Sequence, residues 1–358
     1  MDLQKLPVAG DTAASRRRLK YVAEQGLFKH AIASGHGGFG DRFVDLVKAH
    51  ETLGKYCKDT GLSLSINAHL WGAIFPILNY GDTGHQDAYL NGLMTGTIVG
   101  GHAITEPQAG SDLSGLSMSA KPTADAFLLN GHKRFITNAP IADILIVYAR
   151  LDRQVSAFIV HKDDPGANFL DVPEIPGCRS ATMGDVILSN CLIPRARQLG
   201  KTGAGTLVIQ QALELERAFI FAGLCGVMEW QLETVIKFSR ERMVNGSHLG
   251  KNQAISHKIA DMKLRLDTVR LWVEACARLK DDHRRITLAS AQTKLFAAEA
   301  FLQSSVDAVH ILGANGLSET NPMAGLVNDA LASRLFSGSS EIQKNIIAAL
   351  LGTGDGYK

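Results

Sequence analysis

The chain has 358 residues, 46% of them hydrophobic, more than one compact core usually accommodates, so two or three packed subdomains able to bury a large cofactor are expected. Its 37 Lys and Arg against 35 Asp and Glu leave a net charge of +2, which gives no reason to expect a nucleic-acid or acidic-membrane partner. Five scattered cysteines, with no C-x-x-C pair and no ligand-spaced histidines, argue for reduced thiols in a cytoplasm and against a metal site.

The first twenty residues hold no apolar run fit for a signal-peptide core, and Arg16-Arg17-Arg18 reads as the cap or start of a helix. From Arg16 to about Leu93 the pattern is helical, with Tyr21, Leu27 and Phe28 on a first amphipathic piece and a turn from Gly35 to Gly40. Between about Gly101 and Gly200 short β-type runs take over: Ala126 to Leu129 turning at Asn130-Gly131, then Asp143 to Leu151, Val155 to His161 and Asp185 to Pro194. After Thr202 strand signals vanish, and Ile255, Ile259, Met262, Leu266, Val269, Val273 and Cys276 recur at three- and four-residue steps. The longest apolar stretch, Ala218 to Met228, is too short for a bilayer and reads as buried helix. The expected fold class is α+β: an all-α domain over 1–100, a β domain over 101–203 and a helical bundle over 204–358.

Two segments at the entrance to the β domain carry chemistry. Ala103-Ile104-Thr105-Glu106-Pro107-Gln108-Ala109-Gly110-Ser111-Asp112 offers hydroxyls, N–H groups and a glycine that lets backbone approach a ligand, although alone it reads as a Gly-rich turn. Some twenty residues on, Gly131-His132-Lys133-Arg134-Phe135-Ile136-Thr137-Asn138-Ala139 brings an aromatic, a hydroxyl and an amide within four positions. Together, in this order and spacing, they resemble the T-E-P-x-A-G-S-D and G-x-K-x-x-I-T-N signatures of the acyl-CoA dehydrogenase family.

The resemblance spans roughly Arg16 to Ala349 and implies N-terminal helices, a β-barrel-like middle and a C-terminal four-helix bundle around FAD. It assigns Ile104, Thr105, Gly110 and Ser111 to the flavin pyrimidine edge and pyrophosphate, Phe135 to the ring system and Thr137 to the N5 edge. The helix end Glu241-Arg242-Met243-Val244-Asn245-Gly246, with Gln253 downstream, is similar to the family's E-R-x-x-F-G and implies that Arg242 reaches the pyrophosphate of a neighbouring subunit's FAD. A planar guanidinium suits that task, although Glu241-Arg242 alone would be a solvated helix pair, and Asn245 departs from the family's Phe. The run His310 to Gly316 is similar to the Q-x-x-G-G-x-G loop that touches the partner's FAD, which implicates His310 and Gly313; His310 and Ala314 depart from that pattern.

The family's reaction removes a proton from Cα of an acyl thioester while a hydride leaves Cβ for flavin N5, which requires a positioned carboxylate. Most members carry it in a loop before the last helix, where this chain has Phe336-Ser337-Gly338-Ser339 and therefore a serine. Isovaleryl-CoA dehydrogenase and the long-chain enzymes carry the base on the first helix after the β domain, and Leu213-Glu214-Leu215-Glu216-Arg217 matches that context, so Glu216 is the expected base. Ser337 would still offer its main-chain N–H to the thioester oxygen, and the Ser339 hydroxyl matches a further FAD contact.

The implied partners are an acyl group on CoA or an acyl carrier protein, an electron-transfer flavoprotein or similar acceptor, and a second copy of the chain in a homodimer or homotetramer. The family's first helix is expected to be missing from the N-terminus. Three other readings stay open: a carrier-protein-specific enzyme of secondary metabolism, an oxidase using O2, and a non-catalytic flavin-binding scaffold. Trp71, Phe75 and Leu78 read as helix core or pocket lining.

Overall fold

The computed structural model describes residues 6–7, 11–172, 175–318 and 320–354, so the N-terminal stretch weighed as a leader lies partly outside them. Contact density divides the chain into two compact units, Met1–Asp41 with Leu64–Glu174 and Ser180–Glu216, and Arg42–Ser63 with Ile175–Arg179 and Arg217–Lys358.

Among the described residues five α-helices precede the sheet: α1 (Thr12–Glu24), α2 (Phe43–Cys57), α3 (Thr60–His69), α4 (Phe75–Tyr80) and α5 (Thr83–Met94), with a π-helical turn at Leu70–Ile74 between α3 and α4. Helix α1 starts at Thr12 rather than at the arginines, because the Asp11 carboxylate accepts from the Ala14 amide at 2.8 Å and caps the first turn. Arg16 instead sits inside the helix and donates to Asp143 at 2.6 Å and to the Ile141 carbonyl at 2.7 Å.

The first unit contains an eight-stranded sheet. Its strands are β1 (His102–Ala103), β2 (Ser119–Pro122), β3 (Ala126–Thr137), β4 (Ile144–Leu151), β5 (Gln154–His161), β6 (Ala167–Asp171), β7 (Met183–Pro194) and β8 (Gln198–Leu199). The order is β6-β7-β3-β2-β4-β5-β8, with β1 lying parallel to β4. Inward residues such as Leu129, Leu145, Val147, Phe158, Val186 and Ile193 form its core. The turn expected at Asn130-Gly131 is absent. Strand β3 runs through it, and Gly131, at φ +151°, absorbs a slip in register against β7 as a bulge. An added Cβ there would lie 2.9 Å from Met118, so the position requires glycine.

The second unit is helical: α2, the start of α3, most of α6 (Gly205–Glu241), a two-stranded hairpin of β9 (Met243–Val244) and β10 (Ser247–His248), then α7 (Gln253–Asp281), α8 (Thr287–Leu312), α9 (Ala314–Leu317), α10 (Met323–Ser333) and α11 (Ser340–Leu350). The expected stripe on α7 is buried at Met262, Leu266, Val269, Val273 and Cys276. Helices α2 and α6 meet backbone to backbone: a Cβ on Gly54 would fall 1.8 Å from the Gly223 carbonyl oxygen. Arg270 of α7 clamps this contact, donating to Glu51 and Glu229 at 2.6 Å each. Among the described residues three helices prove long and apolar enough to cross a membrane, Thr60–Tyr80 counted through the π turn, Gly205–Glu241 and Thr287–Leu312, although the longest unbroken apolar run is short. Their apolar runs are interrupted mainly by small uncharged residues rather than by charges, which lowers the average hydropathy little, and 94%, 72% and 56% of their apolar windows are buried within the protein.

Two buried polar contacts fix the entrance to the sheet. Lys133 on β3 is fully buried; its Nζ donates to the Ile104 carbonyl at 2.9 Å and to Glu106 at 2.8 Å. Burial pushes the Glu106 carboxyl up, but the Lys133 ammonium and the Ser117 and Met118 amides outweigh it and hold the group below its ordinary range. Burial lowers Lys133 to about 8 against the upward pull of Glu106, so both are charged at neutral pH. His69, at the end of α3, accepts from the Gly100 amide at Nδ1, which leaves Nε2–H to donate to the Leu93 carbonyl at 2.9 Å. Burial lowers this ring to about 4, so it stays neutral.

Replacing Lys133 with Met strands a buried carboxylate and should cost about 3–5 kcal/mol, read as a lower urea midpoint, while the double change with Glu106→Gln should restore most of it. Between pH 6.5 and 4 the unfolded chain binds a proton at residue 69 that the folded chain does not. The His69 contribution is therefore intact above pH 6.5 and falls by about 3 kcal/mol as the pH drops to about 4, and a His69→Gln variant should lose stability less steeply over that window.

Candidate functional site

In the first unit, the Lys133 ammonium ties the two segments singled out in the sequence to one another, and the Arg134 amide adds a hydrogen bond to the Thr105 carbonyl at 2.9 Å. Ile104 is buried beneath this tie, whereas Gly110 and Ser111 are exposed at the loop tip. A Cβ added at Gly110 would meet nothing within 4 Å, so the tip is open to a ligand. Phe135 stands at the second register slip of β3, between Lys133 and Ile136, with φ +55° and half its surface exposed. Left-handed backbone is strained for a bulky aromatic, and an aromatic face held outward is otherwise costly; both are expected at a binding surface. The Phe135 amide donates to Asp185 at 3.4 Å, and the Arg134 guanidinium lies 4.9 Å from the ring centroid. Thr137 ends β3 opposite Met183, half-buried. An apolar ring face, an open glycine tip and nearby hydroxyls fit the flavin and phosphates of FAD, which these residues would hold.

Glu216 lies on α6 within the first unit and is 6% exposed, flanked by the buried Leu215 and Ala218. Its Oε1 is 3.3 Å from Nε2 of His102, the residue that opens β1. Tyr148 on β4 adds a buried hydroxyl whose pKa is pushed up by burial and, secondarily, by the charge of Glu216, so it remains protonated. His102 and Tyr148 escaped the sequence analysis. Nothing in local spacing links either to Glu216; only the parallel pairing of β1 with β4 and the course of α6 do so.

In the second unit, Ser337 has φ +53°, and its carbonyl accepts from Arg217 Nε at 2.9 Å. Gln343 Nε2 holds the next carbonyl, that of Gly338, at 2.8 Å. Ser339 caps α11, its hydroxyl oxygen accepting from the Ile342 amide at 3.4 Å. Arg242 follows the last residue of α6 and Gln253 is the first of α7; both are exposed. His310 is exposed in the last turn of α8, which ends at Gly313 with φ +60° and no atom within 4 Å of an added Cβ. Asn245 and Gly246 both adopt positive φ and join β9 to β10, which gives a physical reason for Asn where the family has Phe: a tight two-residue hairpin favours Asn-Gly.

Comparison with known proteins agrees with this arrangement. Residues 6–97, 101–191 and 203–352 match the acyl-CoA dehydrogenase N-terminal, middle and C-terminal domain families in turn. The chain is 37% identical over 338 residues to an L-prolyl-[peptidyl-carrier protein] dehydrogenase of Pseudomonas fluorescens, covering 93% of this chain and 89% of that one. Among solved structures it is similar to the prolyl acyl carrier protein oxidase AnaB, with a TM-score of 0.92 at 34% identity over 94% of this chain and 90% of that one. It is also similar to the FAD complex of PigA, with a TM-score of 0.90 at 32% identity over 96% and 90%. With all three domain families matched and the flavin-fitting segments tied together in the first unit, the chain belongs to the acyl-CoA dehydrogenase family and is an FAD-dependent oxidoreductase acting on the CH–CH bond of an acyl thioester.

Proposed function

We propose that the chain dehydrogenates a prolyl or similarly small amino-acyl group presented as a thioester on a carrier protein, with Glu216 as the base. The observation that carries the base assignment is the burial of Glu216 against His102, and the loop position where most members of the family carry the base holds Ser337, which cannot act as a carboxylate. The carrier-borne substrate is supported by the likeness to the Pseudomonas dehydrogenase and to AnaB, both named for prolyl groups on carrier proteins.

When bound, FAD supplies the hydride acceptor. Glu216 takes the proton from Cα as the hydride leaves Cβ, so that a double bond forms and the carboxylate ends protonated. The family resemblance gives the Ser337 amide, in a loop anchored by Arg217 and Gln343, the thioester oxygen, where it would stabilise the developing enolate. Ile104, Thr105, Gly110, Ser111, Phe135 and Thr137 hold FAD within the chain; Arg242, Gln253, His310, Gly313 and Ser339 complete the binding of cofactors in a homodimer or a tetramer of dimers. Leu264 and Leu271, seven residues apart on α7 and each 67% exposed, favour such self-association. The acceptor is an electron-transfer flavoprotein or a similar partner, and five scattered cysteines with no C-x-x-C pair suit a cytoplasmic location.

Anaerobic titration of the FAD-loaded protein tests this reading, with L-prolyl carrier protein beside isovaleryl-, isobutyryl-, butyryl- and octanoyl-CoA. The prolyl carrier should bleach the flavin, and Glu216→Gln should slow that bleaching by about 10²- to 10⁴-fold. Bleaching by a CoA thioester alone would move the substrate to CoA; no bleaching by any of them would favour a flavin-binding scaffold. Reoxidation by air at the rate of turnover would replace the flavoprotein acceptor with O2.

A further inference from the structure

Resting on the reading of Glu216 as the base, we infer that His102 is the positioning residue that orients this carboxylate for proton abstraction, and that Gly72 and its π turn make room for the imidazole. His102 and Glu216 are both nearly buried, with side chains 11% and 8% exposed, and their facing atoms are 3.3 Å apart. Nε2 is the ring nitrogen that faces the carboxylate, and Nδ1 is buried without a hydrogen-bond partner among the described residues. A bare lone pair is cheaper to bury unpaired than an N–H, and a carboxylate only accepts, so the ring proton belongs on Nε2, facing Glu216.

Three features fix the ring before any substrate arrives. The strand it opens is held by the His69 hydrogen bond to the Gly100 amide and by Asn138 Nδ2, which donates to the Gly100 carbonyl at 3.2 Å. The ring then lies against Gly72, where an added Cβ would sit 2.9 Å from Cγ and 3.1 Å from Cδ2 of the imidazole. Gly72 is the central residue of the π turn Leu70–Ile74, a local widening of the helix that is rare and concentrated at functional sites. With the carboxylate held against the imidazole, the rotamer freedom of a glutamate side chain is spent in folding rather than in the transition state. His102 itself neither gains nor loses a proton in this step.

The experiment uses FAD-loaded wild type, Glu216→Gln, His102→Gln, His102→Phe and Gly72→Ala, with single-turnover flavin reduction by L-prolyl carrier protein, or by whichever thioester bleaches the wild type. His102→Phe fills the space without a donor, whereas His102→Gln keeps one. The expected result is a rate at least about tenfold lower in His102→Phe and Gly72→Ala, with thioester affinity within about twofold of wild type and His102→Gln recovering most of the rate. Equal loss in Phe and Gln variants, or a wild-type rate in His102→Phe, overturns the inference. A fully active Glu216→Gln overturns the base assignment and with it this role. Ring ¹⁵N NMR of the protein without substrate gives an answer even where no thioester reacts: the wild type should show His102 protonated on Nε2, a preference weakened in Glu216→Gln, and a ring protonated on Nδ1 would refute it.

Discussion

The ion pair between Lys133 and Glu106 is the constraint on which the cofactor-facing part of the first unit depends. Neither charge can reach water, so each needs the other, and the ammonium adds the Ile104 carbonyl while the carboxylate adds the Ser117 and Met118 amides. These partners lie on separate stretches of chain: the loop of Thr105 and Ser111, the strand of Phe135 and Thr137, and the start of β2. A hydrophobic pair of the same volume would fill the space but would not specify which carbonyl and which amides meet, so the charges act here as a register pin.

Much of this was readable in the sequence because the interacting groups fall inside two contiguous segments whose residue types are rarely assembled by chance. Lys133 and Glu106 are themselves members of the signatures that suggested the family. The same legibility failed at two Asn-Gly dipeptides. Asn245-Gly246 makes the tight hairpin that such a pair favours, whereas Asn130-Gly131 lies within a twelve-residue strand paired along its length with β7, and sheet pairing overrides the local turn preference by turning it into a bulge. Strand β6 went unseen because its residues are exposed or half-buried and show no apolar alternation. His102 was invisible for a different reason, since its partner on α6 is remote in sequence and a single histidine carries no periodic signal.

Helix α6 gives consecutive residues two different tasks. Successive helical side chains diverge by about 100°, so Glu216 and Arg217 leave the same backbone turn in different directions. Glu216 meets His102 in the first unit, and Arg217 holds the Ser337 carbonyl in the second. If Glu216 is the base, as proposed, its place on a long helix buttresses it with many backbone hydrogen bonds, where a base in a loop would rely on a few. The serine at position 337 leaves that loop to contribute only its backbone.

The left-handed conformation of Phe135 has an evolutionary consequence. Glycine adopts that backbone without strain, so selection for stability alone would drive position 135 toward glycine and erase the aromatic face. A ring at such a position carries a standing energetic penalty that an occupied binding surface would offset. Without such an occupant the offset is lost, and glycine would be the less strained residue at position 135.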